Sequence, residues 1–228
     1  MGNQAANFTE CLNQLGFVLL DIPQRKRAGW GRATTTDLPA FAQEELFQLH
    51  SKLTGRTVPT SFTTGQWDFV SSTGLHIEYD EEAHFNRYRL ATLELSWSDR
   101  LPWAEQYREM SSAWESACIT KASYGKYWSS NSTERMFGPS DPPGVLGTLG
   151  SSRWKQRAFY DAIKDAVALF KPGVSLARVS MYDGIGGSAA GSVLKHTPRL
   201  AQEDVSRHLT GRTLEGHRGS TVSFHPQP

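Results

Sequence analysis

The chain has 228 residues, a formal net charge of +1, and 38% hydrophobic, 11% aromatic and 21% charged residues, the balance of a globular protein long enough to bury a sizeable core. A charge so near zero argues against a globally polybasic nucleic-acid binder, so any such binding has to come from local patches. Cys11 and Cys118 lie far apart without a CxxC spacing, which argues against a disulfide framework or zinc module and fits a reducing cytoplasm. No run reaches the roughly 18 apolar residues of a membrane span, and "LGFVLLDI" lacks the charged lead-in and cleavage region of a signal peptide.

In chain order, "NFTECLNQLGFVLLDI" reads as a short helix running into a strand, and the basic "PQRKRAGWGRATTTD" as a loop. "TTTDLPAFAQEELFQLHSKL" predicts a helix, with Thr36 or Asp37 as cap, Pro39 near the first turn, and Phe41, Leu46, Leu49 and Leu53 on one stripe. "TVPTSFT", "QWDFVSS" and "LHIEYD" are three short β-rich stretches that suggest a meander. From Asn86 to Tyr127 the pattern is helical, and Trp103, Tyr107, Met110 and Trp114 at helical spacing read as core. "GKYWSSNSTERMFGPSDPPGVLGTLG" is dense in Gly, Pro, Ser and Asn and reads as a long irregular loop or flap.

"SSRWKQRAFYDAIKDAVALF" carries the strongest helical pattern, capped by Ser151 or Ser152, with Phe159, Ile163, Val167 and Phe170 on one face and Lys171-Pro172-Gly173 as its stop. "VSLARVSMYD" follows as a strand. From Gly184 to Pro228 the expectation is irregular chain with one short helix at "AQEDVSRHL". No internal repeat is present.

The chemistry concentrates in "GLHIEYDEEAHFNRYR", where a strand that begins apolar ends in acids and an imidazole. Side chains two apart on a strand share a face, so Glu78 and Asp80 point one way and Ile77 and Tyr79 the other. Two carboxylates on one face repel each other and lose solvation unless a cation lies between them. Mg²⁺, which takes hard oxygen ligands from carboxylates and phosphates, answers that need. The plainer alternative is an exposed strand end paired with Arg87 and Arg89. His84, with an ordinary pKa near 6.5, is able to move a proton around neutral pH; as a surface histidine at a strand end it would do nothing.

The order of elements resembles the PD-(D/E)xK nuclease superfamily: a helix with Glu44 and Glu45, a strand with Asp68, the strand "IEYDEEAHF", the helix "KQRAFYDAIKD" and the strand "SLARVSMYD". It looks most like the branch of very short patch repair and homing-type endonucleases, where a strand of form IEhDGxxHF precedes a helix DxxKxxh and a strand hhRh. Here Ile77, Glu78, Asp80, His84 and Phe85 match the first, Asp161 and Lys164 the second, and Arg178 the third. Glu81 stands where the family usually has Gly, and the lysine of an ExK motif is absent. The resemblance spans roughly Phe41 to Asp183.

It implies a restriction-endonuclease-like core of α/β (α+β) class, a mixed central sheet flanked by helices, in a single nuclease-like domain over 1–228. The core would be about 37–84 and 151–183, with a helical insertion at about 86–150 and an irregular tail at 184–228. It also implies an Mg²⁺-dependent endodeoxyribonuclease, with Mn²⁺ able to substitute. Asp80 would be the first metal ligand, Asp68 or Glu78 a second, and Glu44 or Glu45 would orient a metal-bound water. His84 would act as base or acid. Asp161 would orient His84 or complete the metal shell, and Lys164 would meet phosphate. The plainer reading of Asp161 and Lys164 is a helix-surface ion pair.

From Ser151 to Arg178, six Lys and Arg face two Asp, a local surplus of +4. Arg153, Lys155, Arg157 and Arg178 are therefore candidate contacts to double-stranded DNA, and Arg199, Arg207, Arg212 and Arg218 could add phosphate contacts. A homodimer follows by analogy only. The alternatives are a catalytically inactive nucleic-acid-binding module of the same fold and, from another class, a nucleotide-cofactor enzyme using the glycine-rich Gly184–Gly191 stretch, whose GxGxxA spacing lacks the βαβ context that would give it meaning.

Overall fold

The computed structural model describes residues 3–56, 61–122, 127–197 and 200–215. In chain order the elements are α1 (Asn3–Gln14), α2 (Ile22–Arg27), α3 (Ala40–Thr54), β1 (Phe69–Val70), β2 (Leu75–Asp80), α4 (Arg87–Thr92), α5 (Ala104–Ala113), α6 (Glu115–Ala122), α7 (Asn131–Phe137), α8 (Ser152–Phe170), β3 (Ser175–Ser180), β4 (Gly184–Ile185), β5 (Ser188–Ala189), α9 (Ala190–Leu194), α10 (Gln202–Arg212) and β6 (Thr213–Glu215). This is a mixed α/β chain with a mixed sheet and flanking helices, of α+β class. It divides into two compact units, one of Met1–Arg32, Gln66–Asp80 and Ala168–Pro228, the other of Ala33–Gly65 and Glu81–Val167.

The first unit is built on a four-stranded sheet in the order β1-β2-β3-β6. β1 and β2 are antiparallel, β2 and β3 parallel, and β3 and β6 antiparallel, with Glu78 opposite Arg178 and Asp80 opposite Ser180. Strand alternation decides what each face does. Leu75, Ile77 and Tyr79 of β2 and Ala177 and Val179 of β3 join Phe8, Cys11 and Leu12 of α1 and Val205 and Leu209 of α10 in one apolar core. The ring of Phe8 lies 5.7 Å from Phe69 and 5.1 Å from Tyr79. Each fully buried side chain of this size contributes about 1.5–3 kcal/mol, which is what fixes the register of β2. The other face carries His76, Glu78, Asp80, Arg178 and Ser180, all buried.

Several expectations change here. The strand foreseen after α1 reduces to an isolated bridge from Leu19 to Ser71. The basic loop contains α2, closed by a capping box in which Asp21 accepts from the Gln24 N–H and the Gln24 side chain accepts from the Asp21 N–H, with Pro23 in its first turn. Among the described residues of the tail, α10 is the short helix expected at "AQEDVSRHL", and the chain expected to be irregular holds a β4–β5 hairpin, α9 and β6 as well. Its turn, Gly186 and Gly187, has φ of 62° and 80°, as a primed hairpin turn demands, so the glycine-rich stretch is a hairpin instead of a strand-to-helix phosphate loop. The stretch "TVPTSFT" lies partly outside the described residues.

In the second unit, α3 buries Ala42, Leu46, Leu49, His50 and Leu53, while Phe41 is exposed and Pro39 takes the cap position without a side-chain bond. His50 sits among Phe62, Phe137 and Phe159, with ring centroids 5.0, 5.3 and 5.3 Å away. Trp103, at the N-cap of α5, and Tyr107 are core as foreseen; Met110 is half-buried and Trp114 is exposed. The expected flap contains α7, capped by Ser130. Helix α8 begins where foreseen, the Ser151 hydroxyl accepting from the Trp154 N–H at 3.1 Å.

Immediately before that cap, Gly150 has φ of 62°, and a Cβ there would lie 1.7 Å from the Tyr88 hydroxyl. Gly150→Ala should therefore lower stability by about 1–3 kcal/mol. Gly144, whose φ is also positive but which has nothing within 4 Å, should cost clearly less as Ala. Thermal melts of the two variants check this, and equal losses would contradict it.

Candidate functional site

The segment after β2 is held by local bonds that aim His84. Residues Glu82–His84 form a 3₁₀ turn, closed by the His84 N–H donating to the Glu81 carbonyl at 3.0 Å. The Cys118 thiol lies 2.5 Å from the Glu82 carbonyl and 2.8 Å from the Phe85 carbonyl, bracketing that turn. Burial pushes the Cys118 pKa up to about 12, so the group stays a thiol and a donor. Asn86 closes the segment from the other side: its amide donates to the Ala83 carbonyl at 3.1 Å and its side-chain oxygen caps α4 by accepting from the Tyr88 N–H at 3.0 Å. Nothing in the sequence marked Cys118 for this role. Asn86, a cap residue directly ahead of a helical pattern, carried a readable signal.

Helix α8 presents Asp161 and, one turn on, Asp165. Asp161 is 2% exposed, and its Oδ2 lies 2.8 Å from His84 Nδ1. Asp165 meets Arg89 at 2.9 Å in a fully buried ion pair, and Arg89 also donates to the Thr92 hydroxyl and stacks over the Tyr107 ring at 5.5 Å. Two polar pairs thus tie α8 to the segment from His84 to Thr92. With Nδ1–H donated to Asp161, the imidazole is held in the tautomer whose lone pair is on Nε2. Asp161, expected either to orient His84 or to complete a metal shell, is in hydrogen-bond contact with His84.

At the end of β2, Asp80 is fully buried and accepts from Arg178 Nη1 at 3.1 and 2.9 Å, one contact to each oxygen. A lone buried carboxylate would lose several kcal/mol of solvation, and the guanidinium offsets that. Glu78 accepts from the Asp68 N–H, and Asp68 in turn accepts from the Tyr79 N–H, both at 3.1 Å. Among the described residues, Asp80, His84 and Asp161 each offer one ligand atom, and these atoms lie within 4.8 Å of one another. Two carboxylate oxygens and an imidazole suit Mn²⁺ and its neighbours; for Mg²⁺ the carboxylates alone are the fitting donors.

Residues 48–197 match a family described as a family of unknown function, DUF7255. The chain belongs to that family. No curated protein and no solved structure matches it. The DUF7255 segment takes in Asp80, His84, Asp161, Lys164 and Arg178. It leaves out Glu44 and Glu45, most of α3, and all of α1, α2 and α10.

The other foreseen site residues of this DUF7255 chain fall elsewhere. Glu44 is exposed and accepts from Gln48 at 2.8 Å. Glu45 accepts from the N–H and the hydroxyl of Ser96, so its carboxylate fastens the Ser96 loop. Asp68 is exposed, and neither it nor Glu78 joins the group of mutually close ligand atoms. Arg178, read as a DNA contact, is fully buried on Asp80 and serves charge compensation. Lys155 is buried too, its ammonium 5.9 Å from the Tyr88 ring, and burial lowers its pKa. Lys164 is 7% exposed, and Arg153 and Arg157 are half-buried. Arg87 pairs with Glu115, Arg207 with Asp204, and Arg212 with Asp183. Arg199 and Arg218 lie outside the described residues.

His76 shares the polar face of β2 with Glu78 and Asp80. Its ring lies 4.6 Å from Trp67, and Nδ1 is 3.2 Å from the Ser175 carbonyl. Burial pushes its pKa from 6.5 down to about 4, against backbone carbonyls that raise it. The folded protein therefore binds this proton less readily than the unfolded chain. The stability His76 confers is complete above pH 6.5 and is lost as pH falls towards 4, by up to roughly 3 kcal/mol. Melts across that range should show the decline in the native sequence and a flatter curve in His76→Gln; identical slopes would contradict the assignment.

Proposed function

We propose that the protein is a metal-dependent endodeoxyribonuclease that hydrolyses phosphodiester bonds in double-stranded DNA. The observation that carries this reading is the His84–Asp161 pair, 2.8 Å between Nδ1 and Oδ2, with Asp80 close enough to share a ligand. The resemblance of "IEYDEEAHF", "DAIKDAV" and "LARVS" to the repair-type nuclease branch supports the same chemistry.

Hydrolysis needs negative charge neutralised on the phosphate, a water activated and a leaving oxygen stabilised. A divalent ion held by Asp80 and Asp161, Mg²⁺ with Mn²⁺ as substitute, would supply the first and third of these. His84 Nε2 takes the proton from water, and Asp161 stabilises the imidazolium that results. Arg178 offsets the charge of Asp80. Lys164, three residues beyond Asp161 on α8, adds a positive charge to the same helix face. A homodimer in the cytoplasm, cutting both strands, completes the reading.

The Arg178 contact favours one competing reading: Asp80, already neutralised, could belong to an inactive nucleic-acid-binding module of the same fold. Nicking of supercoiled plasmid separates the two. Cleavage should require Mg²⁺ or Mn²⁺, stop in EDTA, and fall by at least about 100-fold in His84→Ala and in Asp80→Asn. Circular dichroism confirms that each variant is folded. Cleavage that persists in folded His84→Ala, or in EDTA, would contradict the proposal; a native protein that binds duplex without cutting it in either metal ion would favour the inactive module.

A further inference from the structure

A separate feature lies in the first unit, outside the matched family segment except for one residue. Ile22, Arg25, Lys26, Gly31, Arg32 and Gln66 line a cleft of about 250 Å³. Three of those six side chains are cationic and none is a carboxylate. The volume is below the roughly 300–1,000 Å³ of clefts that enclose drug-sized ligands, so it suits a small group.

Both arginines are fastened by protein oxygens. Arg25 donates Nε to the Leu20 carbonyl at 2.8 Å, Nη1 to the Trp67 carbonyl at 2.7 Å and Nη2 to the Asp68 carbonyl at 3.1 Å. A guanidinium has five N–H groups, so two of them are left for a ligand. With the Gln66 amide oxygen turned towards Arg32, that oxygen accepts from Nε and Nη2 at 3.2 Å each. Carbonyl and amide oxygens hold these side chains in place without cancelling their charge.

Asp68, Glu78 and Asp21 act on Arg25 through space, and none of the three lines the cleft. The plain alternative is that Arg25, Lys26 and Arg27 complement the C-terminal end of α2. That accounts for neither Arg32, which reaches the cleft from beyond the helix, nor the three carbonyls that immobilise Arg25. Preorganised, water-accessible guanidinium groups beside an ammonium are the chemistry that recognises phosphate oxygens.

We propose that this cleft binds a phosphate group through Arg25, Lys26 and Arg32. The inference is independent of the nuclease reading, because it uses no residue of the Asp80, His84 and Asp161 group. Its ligand is either a free or terminal phosphate or a phosphodiester of a nucleic-acid backbone.

The test is calorimetric titration of the full chain with sodium orthophosphate, against sodium chloride at equal ionic strength. It is run on the native protein and on the Lys26→Ala, Arg32→Ala double variant, whose replaced side chains are exposed. Saturable phosphate binding should weaken at least tenfold in the variant while the melting temperature holds. No saturable binding beyond the chloride control, or equal binding by both proteins, would overturn the proposal. A second arm measures duplex DNA affinity against salt. A phosphodiester site predicts several-fold weaker duplex binding by the variant and a salt slope reduced by about 2. Unchanged duplex binding alongside lost orthophosphate binding assigns the cleft to a free or terminal phosphate. Plasmid nicking that survives in the variant separates this cleft from the proposed catalytic group.

Discussion

Burying charge is the constraint on which the rest of this structure depends. One face of β2 and β3 is apolar and settles into a core; the other carries polar and ionisable groups that the fold has removed from water. A buried carboxylate without a countercharge costs several kcal/mol, a large fraction of what holds a domain together. The chain meets this cost pair by pair, with Arg178 on Asp80, Arg89 on Asp165 and Arg212 on Asp183, while His208 and His84 are in hydrogen-bond contact with Asp183 and Asp161. Most of these pairs bring a permanently charged arginine to the acid. His84 with Asp161 is the pair that lies beside Asp80, among mutually close ligand atoms.

The support around His84 keeps its ring beside Asp161. A thiol held protonated, an asparagine cap and a buried arginine pair fix the segment that carries it. Together they limit how far the ring can drift from Asp161, and that is what keeps one nitrogen committed and the other poised.

Much of this was legible in the residues, and the reasons are local. Alternation along "LHIEYD" identified β2 and separated Ile77 and Tyr79 from Glu78 and Asp80, because a strand's period of two leaves no other assignment. The pattern of α8 put its cap at Ser151 or Ser152 and Asp161 and Lys164 on one face, and the motif offered Asp161 either to His84 or to a metal shell. What failed was long-range. Arg178 looked like a phosphate contact until the parallel pairing of β2 and β3 set it against Asp80; no spacing rule announces a partner so far away in sequence. Glu45 looked like a water-orienting acid and instead holds Ser96. The tail's hairpin and β6 escaped for the same reason, since short strands gain their stability from tertiary partners. Helix α2 is a different case: Asp21, Pro23 and Gln24 spelled out a capping box in plain order, and the basic composition obscured it.

The central claim is that the anionic group formed by Asp80 and Asp161 beside His84 binds a divalent cation, and is not merely a closed set of internal ion pairs. A crystal of the protein soaked in Mn²⁺ and measured at the manganese absorption edge tests this most directly. The account predicts an anomalous peak between the carboxylates of Asp80 and Asp161. Density with both carboxylates ordered, Asp80 on Arg178 and no anomalous peak between them would contradict it.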